Sequence, residues 1–391
     1  MGGNDYIVER TWFNEFSFLN AIIFFSIFSI ILFFLCRKTS WMERMGLRPF
    51  WLFVCLAIVR LVLPIEMSFS QILGSWTVLP AIQRFLMHSL FRWQRYDITV
   101  FGVLIAVWIV GAGILICRFI WQWIAYSKRT SRYPQAPEEM LEDVKAWIPD
   151  FWGRVRFVET GSVPHFSGFF RPAIFLPMMD YEIQDLRLIL LHEWQHFRNR
   201  DQWSKLIGYL LCCLFWWNPF IWILKSKMDQ LLELRCDYAV LAKLKKEECA
   251  DYYTVLLKTY QSMKKQKGFE PEGIPALIGD HSHNIILQRF QMGQSFSQMQ
   301  KPSKVLSMVF SGLLMAAFCV SYGVIFQPQG RPSTAYDGKG EIVQGEIFNE
   351  FPEDSYLTPN EDGSYTLHCD GSESIVQDIT VEPFVSLPII E

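Results

Sequence analysis

Long uncharged apolar runs dominate this chain. Four of them, Ser17 to Cys36, Phe50 to Ile65, Thr99 to Cys117 and Val305 to Phe326, predict membrane-spanning helices. A helix needs about 20 apolar residues to cross a bilayer, which the first, third and fourth runs supply. The second is shorter and carries Arg60, which must snorkel to the interface or face a partner helix. The first run starts well inside the chain and has neither a basic leader nor a small-residue cleavage site. It therefore reads as an anchor rather than a removed signal. A fifth run, Leu206 to Leu224, is uncharged between Lys205 and Lys225 but contains Asn218-Pro219, a helix breaker.

Between the third and fourth runs the pattern changes. About 176 residues, 128–303, are enough for one compact domain. Val155 to Glu159 and Ala173 to Pro177 predict short strands, separated by a turn-rich stretch from Gly161 to Gly168. From Asp185 onward the periodicity is helical, with no proline or glycine between Leu186 and Gly208. A small sheet ahead of such a helix offers an edge strand on which an extended peptide could lie.

That helix carries the chemistry. Residues 192 to 196 read His192-Glu193-Trp194-Gln195-His196, an H-E-x-x-H sequence. Positions i and i+4 share a helix face, so both imidazoles can bind one metal ion, and Glu193 sits beside it to take a proton from bound water. Such a string arises by chance on the order of once in a hundred chains of this size. A third ligand must come from elsewhere, and Glu233 is well placed to supply it. Glu233 and Asp237 are four residues apart and share a face if residues 228–243 are helical. Two histidines, one glutamate and an open position for water make a catalytic zinc site, with one Zn2+ per chain. The metal also constrains the fifth run. Were Leu206 to Leu224 to cross the bilayer, Glu233 would lie on the opposite side from His192 and His196. It must therefore fold back, as a buried core helix or one in the membrane interface, and is read as a non-spanning helix at the membrane surface, where Trp216, Trp217 and Trp222 are at home.

Composition agrees with a membrane protein. Hydrophobic residues make up 51% of the 391, and a net charge of −3 argues against a nucleic-acid surface. Arg37, Lys38, Arg44 and Arg48 crowd the link after the first run, and Lys128, Arg129 and Arg132 follow the third. The positive-inside bias places residues 37–49 and 128–303 in the cytoplasm, and the N-terminus, the 66–98 loop and residues beyond about 327 outside. Four parts result: a membrane region 1–127 with helices over 17–36, 50–65 and 99–117, a domain 128–303, a span 304–326, and a tail 327–391. His281 and His283 read as an exposed loop pair, and Cys212, Cys213 and Cys236 as small apolar packing residues.

The order of three spans, a zinc domain and a fourth span resembles the membrane metallopeptidases of the BlaR/MecR antibiotic-sensor type. So do Phe166-Ser167-Gly168-Phe169-Phe170-Arg171-Pro172, the run from His192 to Asp201, Trp217-Asn218-Pro219-Phe220-Ile221-Trp222 and Glu233-Leu234-Arg235-Cys236-Asp237. The resemblance covers roughly residues 15–326. It implies a multi-pass α-helical membrane protein with four transmembrane helices and a cytoplasmic α+β, zincin-like (gluzincin) metalloprotease domain. It also implies that His192, His196 and Glu233 are the zinc ligands, Glu193 the base, and Asp237 the acid that orients a ligating histidine.

The tail departs from that family. Antibiotic sensors end in a penicillin-binding domain acylated at a Ser-x-x-Lys serine, and the 65 residues after Phe326 contain no such motif, so β-lactam sensing by acylation is not expected of them. With thirteen acidic residues against two basic ones the tail reads as solvated and partly disordered, with a possible hairpin strand over Ser364 to Cys369. The expected function is a membrane zinc endopeptidase that relays a signal by cutting a cytoplasmic protein, itself, or both. The resemblance implies a small transcriptional repressor as substrate, and self-association stays open. A general quality-control protease and a non-enzymatic scaffold stand beside that reading. The intact Glu193 speaks against the scaffold, because a structural zinc site needs no general base.

Overall fold

The computed structural model describes residues 15–65, 70–75, 78–93, 96–158, 164–265, 288–292, 302–328 and short pieces of 355–390. His281 and His283 lie outside the described residues. The chain forms two compact units, the larger comprising Phe13–Ser70 with Ser89–Ile325 and the smaller Gln71–His88 with Phe326–Glu391 and Met1–Trp12.

In the larger unit, α1 (Glu15–Arg37), α5 (Val100–Thr130) and α11 (Lys304–Gly323) are long and apolar enough to cross a membrane. The second expected span is α3 (Arg48–Val62), which meets the preceding α2 (Thr39–Met45) at a bend of 104°. It stops short of Ile65 because Pro64 disfavours helical backbone in the residue before it. At 15 residues it is about 22 Å long, so it counts as a fourth span only together with α2. Arg60 does not snorkel. It is buried against α11, where Nη2 donates to Ser321 O at 3.3 Å and the guanidinium lies 4.5 Å from the Tyr322 ring centre. The third helix runs thirteen residues past the expected end at Cys117. The fourth ends at Gly323, where strand β7 (Val324–Pro328) takes over.

The fifth apolar run is not one surface helix. It is divided between α8 (Asp201–Leu214) and α9 (Pro219–Leu241), joined by a tight turn. Asn218 caps α9 by accepting from Phe220 N at 2.9 Å, and Pro219 occupies its first turn, where no N–H is missed. The two helices run antiparallel: Cys212 faces Ile221, Gly208 faces Met228, and Lys205 faces Glu233. Instead of lying on a surface, the hairpin packs among the long helices. Phe215, Ile221, Leu224 and Met228 share one buried core with Phe25 and Leu32 of α1 and Phe53 of α3. At its tip Leu214 O accepts from Trp108 Nε1 of α5, and Trp216 closes over Gly111, where a Cβ would meet the indole at 2.6 Å. Trp108 lies about 12 Å along α5 from its start, within the apolar stretch. The chain thus packs against α5 and turns back, leaving α7 and the far half of α9 at the same end of the hairpin.

Outside this bundle, β4 (Arg154–Val158) and β6 (Ala173–Pro177) form as expected and pair in parallel. The stretch between them is more than a turn, because His165–Ser167 form β5, antiparallel on the other edge of β6. α7 (Ile183–Arg198) buries Leu190 and Trp194 against this sheet and α6 (Glu138–Trp147). α10 (Glu248–Lys265) covers the other side of α7, and α5 reaches β5 through Tyr126 Oη, 3.1 Å from His165 Nε2. Phe166 O, on the edge strand, already accepts from Gln202 Nε2 at 2.9 Å. Gly168 ends β5 at φ 114°, and a Cβ there would stand 2.4 Å from Arg171 O. Gly168→Ala combines forbidden backbone with a backbone clash and should destabilise the domain by about 1–3 kcal/mol. Thermal unfolding of the detergent-solubilised protein reads this directly, and an unchanged midpoint would contradict it.

The smaller unit contains β1 (Gln71–Ser75), α4 (Val78–Met87) and the acidic tail. The tail is folded where it is described. β8 (Tyr356–Pro359), β9 (Tyr365–Cys369) and β10 (Ser372–Val376) make an antiparallel sheet over a core of Leu357, Leu367, Val376 and Phe384. The expected hairpin strand is its centre. Acidic composition concealed a small alternating core.

Candidate metal centre

The H-E-x-x-H helix is shorter than its sequence suggests. α7 stops at Arg198, and Arg200 adopts a left-handed conformation at φ 58° before α8 starts at Asp201. This sharp corner turns Asp201 back toward His196. His192 and His196 lie on one face with ring centres 4.9 Å apart, and Glu233 and Asp237 face them from α9. All four, with Glu193, are less than a tenth exposed.

The two imidazoles present the same edge. His196 Nδ1 lies 2.6 Å from Asp201 Oδ2 and donates to it. Tyr252 Oη donates to Asp237 Oδ1 at 2.6 Å, which leaves its oxygen to accept from His192 Nδ1 at 2.7 Å. With each Nδ1 engaged, Nε2 is the nitrogen left for a metal. The two Nε2 atoms meet the Glu233 carboxylate, His192 at 3.6 Å from Oε2 and His196 at 3.7 Å from Oε1. Ligand atoms around tetrahedral zinc lie roughly 3.4 Å apart when metal–ligand bonds are about 2.0–2.1 Å. Each imidazole meets one carboxylate oxygen at about that spacing, and two histidines with a carboxylate suit that ion in chemistry.

Cys236 offers a second candidate donor. Its Sγ and one nitrogen of each histidine lie within 4.8 Å of one another. The thiol, however, approaches His192 from behind, 3.6 Å from Nδ1 and 3.2 Å from the carbonyl oxygen. Glu233 meets the Nε2 edges instead, which is the stronger geometric claim to the third position.

Charge around the site is unusually dense. Lys205 Nζ lies 3.6 Å from Glu233 Oε1, and Arg289 Nη1 lies 3.4 Å from Oε2. Burial alone would raise the Glu233 carboxyl, yet His196, His192, Lys205 and Arg289 together hold it well below the usual carboxylate range. Asp237 is likewise drawn down to about 2 against its burial, chiefly by Arg289 and His192. Burial would also suppress a charge on His196, but Cys236, Glu233 and the bond to Asp201 raise it to about 10. Glu193 moves the other way. Burial lifts its carboxyl, with His192 and His196 only partly opposing. A carboxyl raised in this direction is a better proton acceptor at neutral pH.

Every residue expected at the site is thus brought to one place: His192, Glu193, His196, Glu233 and Asp237. Three that share it were not singled out, namely Tyr252, Lys205 and Arg289. Asp201 entered only as the end of a motif, and Cys236 only as packing.

Comparison with known proteins places the chain in a family. A stretch of 174 residues, 41% of this chain, is 27% identical to the regulatory protein BlaR1 of Bacillus licheniformis and covers 28% of that protein. The methicillin resistance mecR1 protein of Staphylococcus aureus is 24% identical over 211 residues, 52% of this chain and 35% of its own. BlaR1 of Staphylococcus aureus is 25% identical over 238 residues, 58% of this chain and 39% of its own. The matched stretches span well under half the length of these relatives. The family model of the BlaR1 peptidase M56 matches residues 17–273, and the chain belongs to that family.

Proposed function

We propose that this protein is a membrane-embedded zinc endopeptidase that relays a signal by cutting a cytoplasmic protein, a transcriptional repressor or the chain itself. The observation that carries the reading is the meeting of the His192 and His196 Nε2 atoms with the Glu233 carboxylate beside buried Glu193. In it, His192, His196 and Glu233 hold the ion, while Asp201 and the Tyr252–Asp237 pair fix the imidazole tautomers. Bound zinc would acidify a water molecule and polarise the scissile carbonyl. Glu193 accepts the proton of the attacking water and hands it to the leaving amine. A substrate strand laid along β5 would take Phe166 O from Gln202. The basic residues at the ends of α1 and α5 support a cytoplasmic site, and a hairpin that folds back would keep Glu233 on the side of His192 and His196.

Comparing the proteomes of wild-type and Glu193→Gln cells tests the function. The reading predicts one or a few cytoplasmic proteins, a DNA-binding repressor among them, cut only in the wild type. A broad set of membrane-protein fragments would favour quality control instead.

Metal affinity should climb with pH. A proton on His196 Nε2 competes with the ion, and it is held up to about 10 instead of 6.5. Between those values, raising the pH removes the competitor, so affinity should gain up to about tenfold per unit for each proton displaced. Isothermal titration with zinc at several pH values measures the slope, and an affinity that falls with pH over this range would contradict the assignment.

A further inference from the structure

The ligand helices do not complete the site. Its last member arrives from residues 288–292, beyond the stretch 17–273 that matches the family. Arg289 is buried there and grips Asp237 with two bonds, Nε to Oδ2 at 2.7 Å and Nη2 to Oδ1 at 2.8 Å. The same guanidinium places Nη1 3.4 Å from Glu233 Oε2 and Nη2 3.5 Å from His192 Nε2. One side chain therefore touches a proposed metal ligand from α9, another from α7, and the acid that orients the second.

The residues on either side of Arg289 anchor it to the membrane helices. Gln288 Nε2 donates to Cys36 O at the end of α1 at 3.0 Å and lies 3.2 Å from Met42 Sδ of α2, while Gln230 of α9 donates to its Oε1. Met292 is buried in the core shared by α1, α3 and α9, and the Phe290 ring stands edge-on to Tyr253, next to Tyr252. The segment is thus pinned at the α1–α2 corner on one side and inserted among the ligands on the other.

We propose that Arg289 is a positioning residue of the metal site, and that the 288–292 segment ties the geometry of that site to the α1–α2 corner of the membrane helices. A planar guanidinium bonded by two atoms to Asp237 fixes that carboxylate in plane and rotation. Asp237 in turn sets Tyr252, and Tyr252 sets the His192 ring. Direct contact with Oε2 holds the Glu233 carboxylate in the rotamer that faces both Nε2 atoms. A displacement of the α1–α2 corner would reach the ligands through Gln288 and Arg289 without any change in the ligand helices themselves.

The inference rests on the metal-site reading, and one set of titrations separates the two. Full-length protein in detergent is titrated with cobalt(II), following both affinity and the visible d–d bands that report coordination geometry. Wild type should bind about one ion. Arg289→Met should bind about 10- to 100-fold more weakly with shifted bands, as when an outer partner of a ligand is removed. Arg289→Lys should restore part of the affinity but not the wild-type bands, since one ammonium cannot replace a two-atom grip. Gln288→Ala, which touches no ligand, should weaken binding about 3- to 10-fold, within the range for residues that act through a coupled network. If Arg289→Met does not fold, the lysine and Gln288 variants still carry the comparison. Unchanged affinity and bands in the Arg289 variants overturn the positioning role. Tighter binding overturns it too, by making the guanidinium a competitor of the ion. Loss in Arg289→Met with wild-type behaviour in Gln288→Ala overturns the tie to the membrane helices. A wild-type protein that takes up no cobalt defeats the metal-site reading itself.

Discussion

Replacing Glu193 with glutamine is expected to leave the metal bound and to slow peptide hydrolysis by about 10²- to 10⁴-fold. The amide has the shape of the carboxylate but can neither accept the water proton nor pass it to the leaving amine. The ligands do not depend on it, because their Nδ1 atoms are held by Asp201 and Tyr252 and their Nε2 atoms meet Glu233. Removing a buried charge whose carboxyl burial already raises should not weaken the fold. Metal analysis and cleavage of the substrate named by proteomics, run on the same preparation, give both readouts. An active variant would remove Glu193 from the role of base.

Metal itself should be lost on His192→Ala, His196→Ala or Glu233→Ala. Zinc bound by four protein ligands gains about 10–16 kcal/mol, so one ligand contributes roughly 3–4 kcal/mol, or about 10²- to 10³-fold in affinity. Cys236→Ser should retain the metal, because the thiol faces the Nδ1 edge of His192. Glu233→Ala also leaves Lys205 and Arg289 facing one another across the space of the missing carboxylate. That variant therefore calls for a check of its fold alongside its metal content, and tight binding by a folded Glu233→Ala protein would move the third ligand elsewhere.

The residues that meet at the proposed metal centre were legible in the sequence as two pairs, because helix periodicity puts His192 with His196 and Glu233 with Asp237. Three long helices were legible from length and apolarity. The expectation that residues 192 and 233 share one metal also argued against a single crossing helix at Leu206 to Leu224, and that run is divided between α8 and α9. The form that division takes was not legible. Asn218-Pro219 marks a break, but whether two short helices lie on a surface or insert as a hairpin depends on partners such as Trp108 and Gly111 about a hundred residues away. The corner at Arg200 was hidden for a related reason. No glycine or proline marks it, and the Asp201 contacts that accompany the left-handed residue, to His196 across the corner and to Arg235 of α9, exist only once the corner has turned. Tyr252, Lys205 and Arg289 look like ordinary helix or loop residues until the fold places them around Glu233 and Asp237. In the tail, thirteen acidic residues outweighed the signal of Leu357, Leu367 and Val376, which become a core only when three strands pair.

X-ray absorption at the zinc edge of the purified wild-type protein tests the central claim most directly. The account predicts a first shell of nitrogen and oxygen donors only, at about 2.0–2.2 Å, with the outer-shell scattering of two imidazoles. A sulfur scatterer at about 2.3 Å would place Cys236 on the metal instead of Glu233, and would contradict both the ligand set and the open catalytic site built on it.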